Sequence, residues 1–75
     1  MNFETMARIH WPKYLPEMTR QLKEAGTYET ELMEAVDQAK EELSYRVSRG
    51  ENLLIAKADV ARNYILLDPE TEEEE

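Results

Sequence analysis

The chain contains no cysteine and a single histidine among its 75 residues. Disulfides and thiolate metal sites are therefore excluded, and one histidine does not build a zinc site without help from carboxylates. The absence of cysteine also weakly favours a reducing compartment. We expect a protein that uses neither a metal nor another cofactor.

Long apolar runs are also missing. The longest aliphatic run, Leu53 to Ala56, is far shorter than the roughly 20 residues that cross a bilayer. The N-terminus, MNFETMARIH, lacks the apolar core of a signal peptide. These absences predict a cytoplasmic protein that does not associate with a membrane.

Acidic residues outnumber basic ones by 17 to 9, and the net charge of −8 is concentrated at one end. Residues 68–75, DPETEEEE, hold six acids and no base, whereas the other 67 residues hold eleven acids and nine bases. A run of this kind predicts a disordered acidic tail. It is interpreted as a solubilising end, as an arm that docks on a basic groove, or as a competitor for the chain's own basic face. No basic patch predicts direct sequence-specific binding to nucleic acid.

Only two glycines occur, and each follows a helical pattern that it is suited to end. Before Gly26, apolar residues are spaced for one short helix, with Pro16 in its first turn. Between the glycines, residues 28–48 carry a clear apolar stripe with Thr27 as the expected cap. The members of these stripes are Leu15, Met18, Leu22 and Ala25 for the first helix, and Leu32, Val36, Ala39, Leu43 and Val47 for the second.

After Gly50, Asn52 can cap a third helix that has two adjacent apolar stripes and ends before Asp68 and Pro69. The first stripe is Leu53, Ala56, Val60, Tyr64 and Leu67, and the second is Leu54, Ala58, Ala61 and Ile65. Two apolar stripes predict that this helix is the most buried element.

The first residues add a short helix that Asn2 can cap, and Pro12 predicts that it ends or bends at Trp11. No strand alternation appears. The fold class predicted is therefore all-α: a small three-helix bundle (13–67), preceded by a short N-terminal helix or arm (1–12) and followed by the acidic tail (68–75).

The stretch RIHWPKYLP, residues 8–16, crowds the rarest residue types into nine positions. Catalysis by the lone histidine is disfavoured because no nucleophile, triad or glycine-rich loop accompanies it. Aromatic and basic residues stiffened by proline are typical of binding surfaces, but the same residues also suit the packed corner of a small bundle. Both readings stay open, and the candidate partner-binding residues are Arg8, His10, Trp11, Lys13 and Tyr14.

The chain lacks cysteine, a metal-binding cluster, a nucleotide-binding loop and a catalytic triad, but it has a proline-stiffened aromatic stretch and an acidic tail. This combination predicts a non-enzymatic protein-binding module. Its size and charge are typical of modulators or inhibitors that phages or mobile elements direct at a host machine such as RNA polymerase or a defence complex. One alternative is a structural homodimer formed through helix 28–48, with Tyr28, Met33 and Tyr45 as contacts. An acidic mimic of DNA ranks lower because the body of the chain is nearly neutral.

Overall fold

A computed structural model describes residues 2–70, and within them every regular element is helical. The helices are α1 (Phe3–Tyr14), α2 (Pro16–Ala25), α3 (Tyr28–Ser48) and α4 (Leu53–Val60), and a π-helical segment (Ala61–Ile65) continues α4. The all-α prediction is confirmed. The last five residues of the predicted tail, 71–75, lie outside the described residues.

Helix α1 is longer than the sequence predicts. The side chain of Asn2 caps it by accepting a hydrogen bond from the Thr5 amide at 2.7 Å. The expected end at Trp11 is wrong, because the helix continues through Pro12 to Tyr14. Proline removes one helical donor and disfavours helical geometry at the residue before it. Here tertiary packing overrides that preference, since Trp11 is anchored in the core.

The two glycines end helices as predicted. Gly26 has φ 78° and Gly50 has φ 98°, both in the left-handed region that favours glycine. Asn52 caps α4 by accepting from the Ile55 amide at 3.1 Å. Thr27 occupies the N-cap position of α3 as predicted, but its side chain makes no capping hydrogen bond.

The core is built chiefly from α1, α3 and the π-helical segment. Trp11 is 3 % exposed, and its indole ring meets the ring of Tyr28 edge-on at 6.3 Å. From α1 to the π-helical segment, the buried apolar cluster consists of Phe3, Ala7, Trp11, Leu15, Leu32, Val36, Ala39, Val60, Ala61 and Ile65. Helix α1 therefore belongs to the core and is not a peripheral arm.

The helix predicted to be the most buried element corresponds to α4 and the π-helical segment together, and its first turn is not buried. Leu54 and Ile55 are 75 % and 71 % exposed, and Leu53 is also exposed. Helix α4 packs against α3 and continues into the π-helical segment, whereas α1 and α2 do not reach it. The first turn of α4 consequently faces α3 on one side and solvent on the other.

Candidate protein-binding surface

A groove runs along α1 beside the chain that follows the π-helical segment. We call it the α1 groove; it has a volume of about 390 Å³ and is lined by Met6, Ile9, His10, Lys13, Tyr14 and Leu66. Ile9 is 56 % exposed, and Tyr14 and Leu66 are exposed by more than a third. The five α1 members stand at i, i+3, i+4, i+7 and i+8, so one helical face supplies most of the groove.

Three of the five candidate residues named from the sequence line this groove: His10, Lys13 and Tyr14. The ammonium group of Lys13 lies 5.2 Å from the centre of the Tyr14 ring, within the range of a cation–π contact. The ring of Tyr14 also lies 4.7 Å from that of His10. The structure thus gathers these side chains into one cluster at the C-terminal end of α1.

Trp11 belongs to the core. Its Nε1–H donates to the carbonyl oxygen of Ile65 at 2.9 Å, so the polar group of this large side chain is satisfied inside the protein. Of the two readings left open for Trp11, packing is the one that its burial supports. The residue fixes α1 against the π-helical segment.

His10 also supports the groove. Its Nε2 lies 2.8 Å from the carbonyl oxygen of Leu67. Because a carbonyl only accepts, Nε2 carries the hydrogen and donates it. This bond ties the chain after the π-helical segment to α1 and so holds Leu66, one residue earlier, at the edge of the groove.

Arg8 lies elsewhere and makes ion pairs. It donates two hydrogen bonds to the carboxylate of Glu29, at 2.9 and 2.8 Å, and one to Glu4 at 2.9 Å. The Glu29 carboxylate raises the pKa of Arg8, and Arg8 in turn lowers the pKa of Glu29. These exposed pairs orient α1 against the start of α3, and exposed pairs of this kind add little stability.

Glu70 has a structural role that the sequence pattern does not indicate. Its carboxylate accepts from the amides of Glu17 at 3.0 Å and Met18 at 2.7 Å, and its own amide donates to the carbonyl oxygen of Tyr14 at 3.0 Å. Leu15 at the start of α2 offers no capping side chain, so Glu70 supplies the cap from the other end of the chain. The acidic composition of residues 68–75 concealed this role.

Replacing Glu70 with alanine is expected to lower the free energy of unfolding by about 1 kcal/mol, the usual contribution of a helix cap. The matched control is Asp68→Ala, which removes an exposed acid two residues away and should leave stability within about 0.5 kcal/mol of wild type. Urea unfolding followed by circular dichroism measures both. Equal losses in the two variants would contradict the cap.

A second exposed apolar surface lies at the start of α4, where Leu53, Leu54 and Ile55 follow one another. Of the three dimer contacts expected from the sequence, Tyr28 and Met33 are half-buried and pack against the core. Tyr45 is exposed and receives a hydrogen bond from Arg49. Leu53 and Leu54 belong to the two apolar stripes that predicted burial of this helix, whereas Ile55 belongs to neither stripe. The sequence therefore did not indicate a surface at these three residues.

Among residues 2–70, no group of three or more histidine, aspartate or glutamate side chains is placed to share a metal ion. No helix in the described range has the length and apolar character needed to span a bilayer. No protein-family model, no curated protein and no solved structure matches this chain.

Proposed function

We propose that this chain is a small, non-enzymatic protein-binding module whose α1 groove receives an apolar side chain of a larger protein. The observation that carries the proposal is the exposure of Ile9, Tyr14 and Leu66 around one groove. Exposed apolar residues gathered around one groove are typical of the apolar centre of a protein–protein interface.

The rigidity of the groove supports the proposal. Hydrogen bonds from Trp11 to Ile65, from His10 to Leu67 and from Glu70 to Tyr14 hold α1 against the π-helical segment and the chain after it. Walls that are already fixed lose little conformational entropy on binding. Tyrosine adds contact area at a similarly low cost.

Charge gives the chemistry of the partner. The α1 groove has no acidic residue in its lining, and Lys13 makes no ion pair within residues 2–70. A carboxylate next to the inserted apolar side chain would pair with Lys13 at the rim. The partner proposed is therefore a protein with an exposed apolar residue beside an acid. The sequence suggests a host machine such as RNA polymerase or a defence complex, and these are the first candidate partners to test.

The test is capture from lysate of the source organism or its host, followed by titration with the purified partner. The baits are wild type, Ile9→Glu, Lys13→Glu and the control Leu54→Glu, which places the same acid at an exposed apolar site on α4. We expect Ile9→Glu to weaken the purified complex by at least about tenfold and Lys13→Glu by a few-fold. Leu54→Glu should bind as wild type does.

Two results would overturn the proposal. One is that no protein is captured whose retention depends on Ile9. The other is that Leu54→Glu weakens the purified complex as much as Ile9→Glu does, because the α1 groove would then have no special role. Circular dichroism of each bait shows that every variant is folded.

A further inference from the structure

The first turn of α4 is apolar on a side that nothing in the described chain covers. Leu54 and Ile55 are more exposed than any other large apolar side chain of residues 2–70. A helix that is apolar all round normally lies inside a protein. Here only α3 packs on it, so the end of α3 and the start of α4 form a two-helix arm that lacks a second layer.

The charges beside this turn are of both signs. A groove between α3 and α4 contains the side chains of Leu54 and Ile55 together with two bases and two acids; the charged members are Arg46, Glu51, Asp59 and Arg62. Arg46 lies 2.6 Å from Asp59 and 3.1 Å from Glu42, so its charge is already compensated within the chain. Arg62 is mostly exposed and lies 3.3 Å from Asp59, and Glu51 makes no ion pair in the described part of the chain.

A neutral surface with an acid at one side and a base at the other is complementary to itself. A two-fold interface is formed by the same patch of both copies. If residue i of the first copy contacts residue j of the second, then residue j of the first copy also contacts residue i of the second. Glu51 of one copy and Arg62 of the other satisfy this pattern. A strongly acidic or strongly basic partner would leave half of these charges facing their own sign.

We propose that a second copy of this chain covers Leu54 and Ile55, so that two α3–α4 arms pack into one four-helix layer. The apolar side chains form the centre of the interface, and Glu51 pairs with Arg62 of the other copy at its two ends. Each arm then gains the second layer of helices that it lacks alone. The α1 groove lies on a different element and takes no part.

Sedimentation equilibrium from about 5 to about 500 μM tests the proposal on the full chain. We expect wild type to dimerise and Leu54→Glu/Ile55→Glu to weaken the dimer by at least about 100-fold. Both positions are exposed in the first turn of a helix, where an acid is favourable, so the variant should keep its fold. Ile9→Glu is the matched control and should dimerise as wild type does.

A charge exchange tests the two-fold geometry. Glu51→Arg alone and Arg62→Glu alone each place like charges across the interface and should weaken the dimer, whereas the double variant Glu51→Arg/Arg62→Glu should restore it. Added salt should narrow the difference between wild type and the two single variants, because salt screens interactions between exposed charges.

A wild-type chain that stays monomeric at the highest concentration would overturn the proposal, as would a dimer that survives Leu54→Glu/Ile55→Glu. Failure of the double variant to restore the dimer would overturn the two-fold pairing of Glu51 with Arg62. These outcomes are independent of the proposed function, because loss of partner binding follows Ile9 and loss of the dimer follows Leu54 and Ile55.

Discussion

Replacing Trp11 with alanine is expected to leave the chain largely unfolded at 25 °C. The indole is almost wholly buried, packs edge-on against Tyr28 and donates to the carbonyl oxygen of Ile65. Removing a buried tryptophan costs about 3–5 kcal/mol. A cysteine-free domain of this length has a total stability of about the same size. Far-UV circular dichroism at 25 °C measures the lost helix directly.

Trp11→Phe separates the hydrogen bond from the packing. Phenylalanine keeps an aromatic ring in the core but leaves the Ile65 carbonyl without its donor, which costs about 1–3 kcal/mol. This variant should remain folded with a lower urea midpoint. A control at the surface, Ile9→Ala, should change stability by at most about 0.5 kcal/mol. A folded Trp11→Ala variant with near wild-type stability would contradict the central position of Trp11 in the core.

The burial of Trp11 changes which residue is informative about binding. A Trp11→Ala bait that loses a partner reports unfolding as readily as a lost contact. Ile9 is exposed, lies two residues earlier on α1 and lines the α1 groove, so its substitution tests the surface without removing the core. Stability and binding are thus probed at different faces of one helix.

Local pattern was enough to predict α3 and both helix-ending glycines. The stripe that begins at Leu32 repeats at helical spacing, and its members Leu32, Val36 and Ala39 are fully buried. Gly26 and Gly50 adopt the left-handed conformation that glycine alone reaches cheaply. These features depend on residues near one another in sequence, which is why the sequence reveals them.

Features that depend on distant residues were not predictable in this way. Pro12 lies inside α1 because Trp11, one residue earlier, is held by Ile65, more than fifty positions away. The cap of α2 comes from Glu70, which reads as one more acid in an acidic run. Propensity describes the local preference of each segment, whereas tertiary contacts decide these two cases.

The candidate site was predictable in part for the same reason. His10, Lys13 and Tyr14 share a groove because α1 spaces them along one face. Leu66 lines the same groove but lies near the other end of the chain, and nothing in the sequence around it indicates that it contacts α1. The exposure of Leu54 was not predictable because an apolar stripe is buried only where another element packs on it, and Ile55 belongs to neither stripe.

At the π-helical segment, the buried side of the helix after Asn52 changes from the first of its two apolar stripes to the second. The buried side of the helix follows Ala56 and Val60 of the first stripe and then Ala61 and Ile65 of the second. The Leu66 amide donates to the Ala61 carbonyl at 2.7 Å, five residues back instead of four. This wide turn accommodates one extra residue and keeps Ile65 facing the core.

Deleting Asn63 is therefore expected to be tolerated, whereas deleting Asp37 from α3 is expected to unfold the chain. Both residues are exposed and lie inside helical segments. Without Asn63, Leu66 stands four residues after Ala61 and Ile65 four after Val60, which is the ordinary α-helical spacing. We expect the free energy of unfolding to stay within about 1 kcal/mol of wild type.

Without Asp37, every residue that follows in α3 rotates by about 100° relative to the residues before it, because an α-helix has 3.6 residues per turn. Ala39 then leaves the core face that Leu32 and Val36 define, and the α4 contact moves with it. The loss should exceed the roughly 3–5 kcal/mol that a domain of this size can spare. Urea unfolding followed by circular dichroism compares the two deletions, with Asp37→Ala as the control for the lost side chain. Equal losses on deleting Asn63 and Asp37 would mean that the π-helical segment does not hold an extra residue, and that the turn at Ala61–Ile65 is needed in its present length.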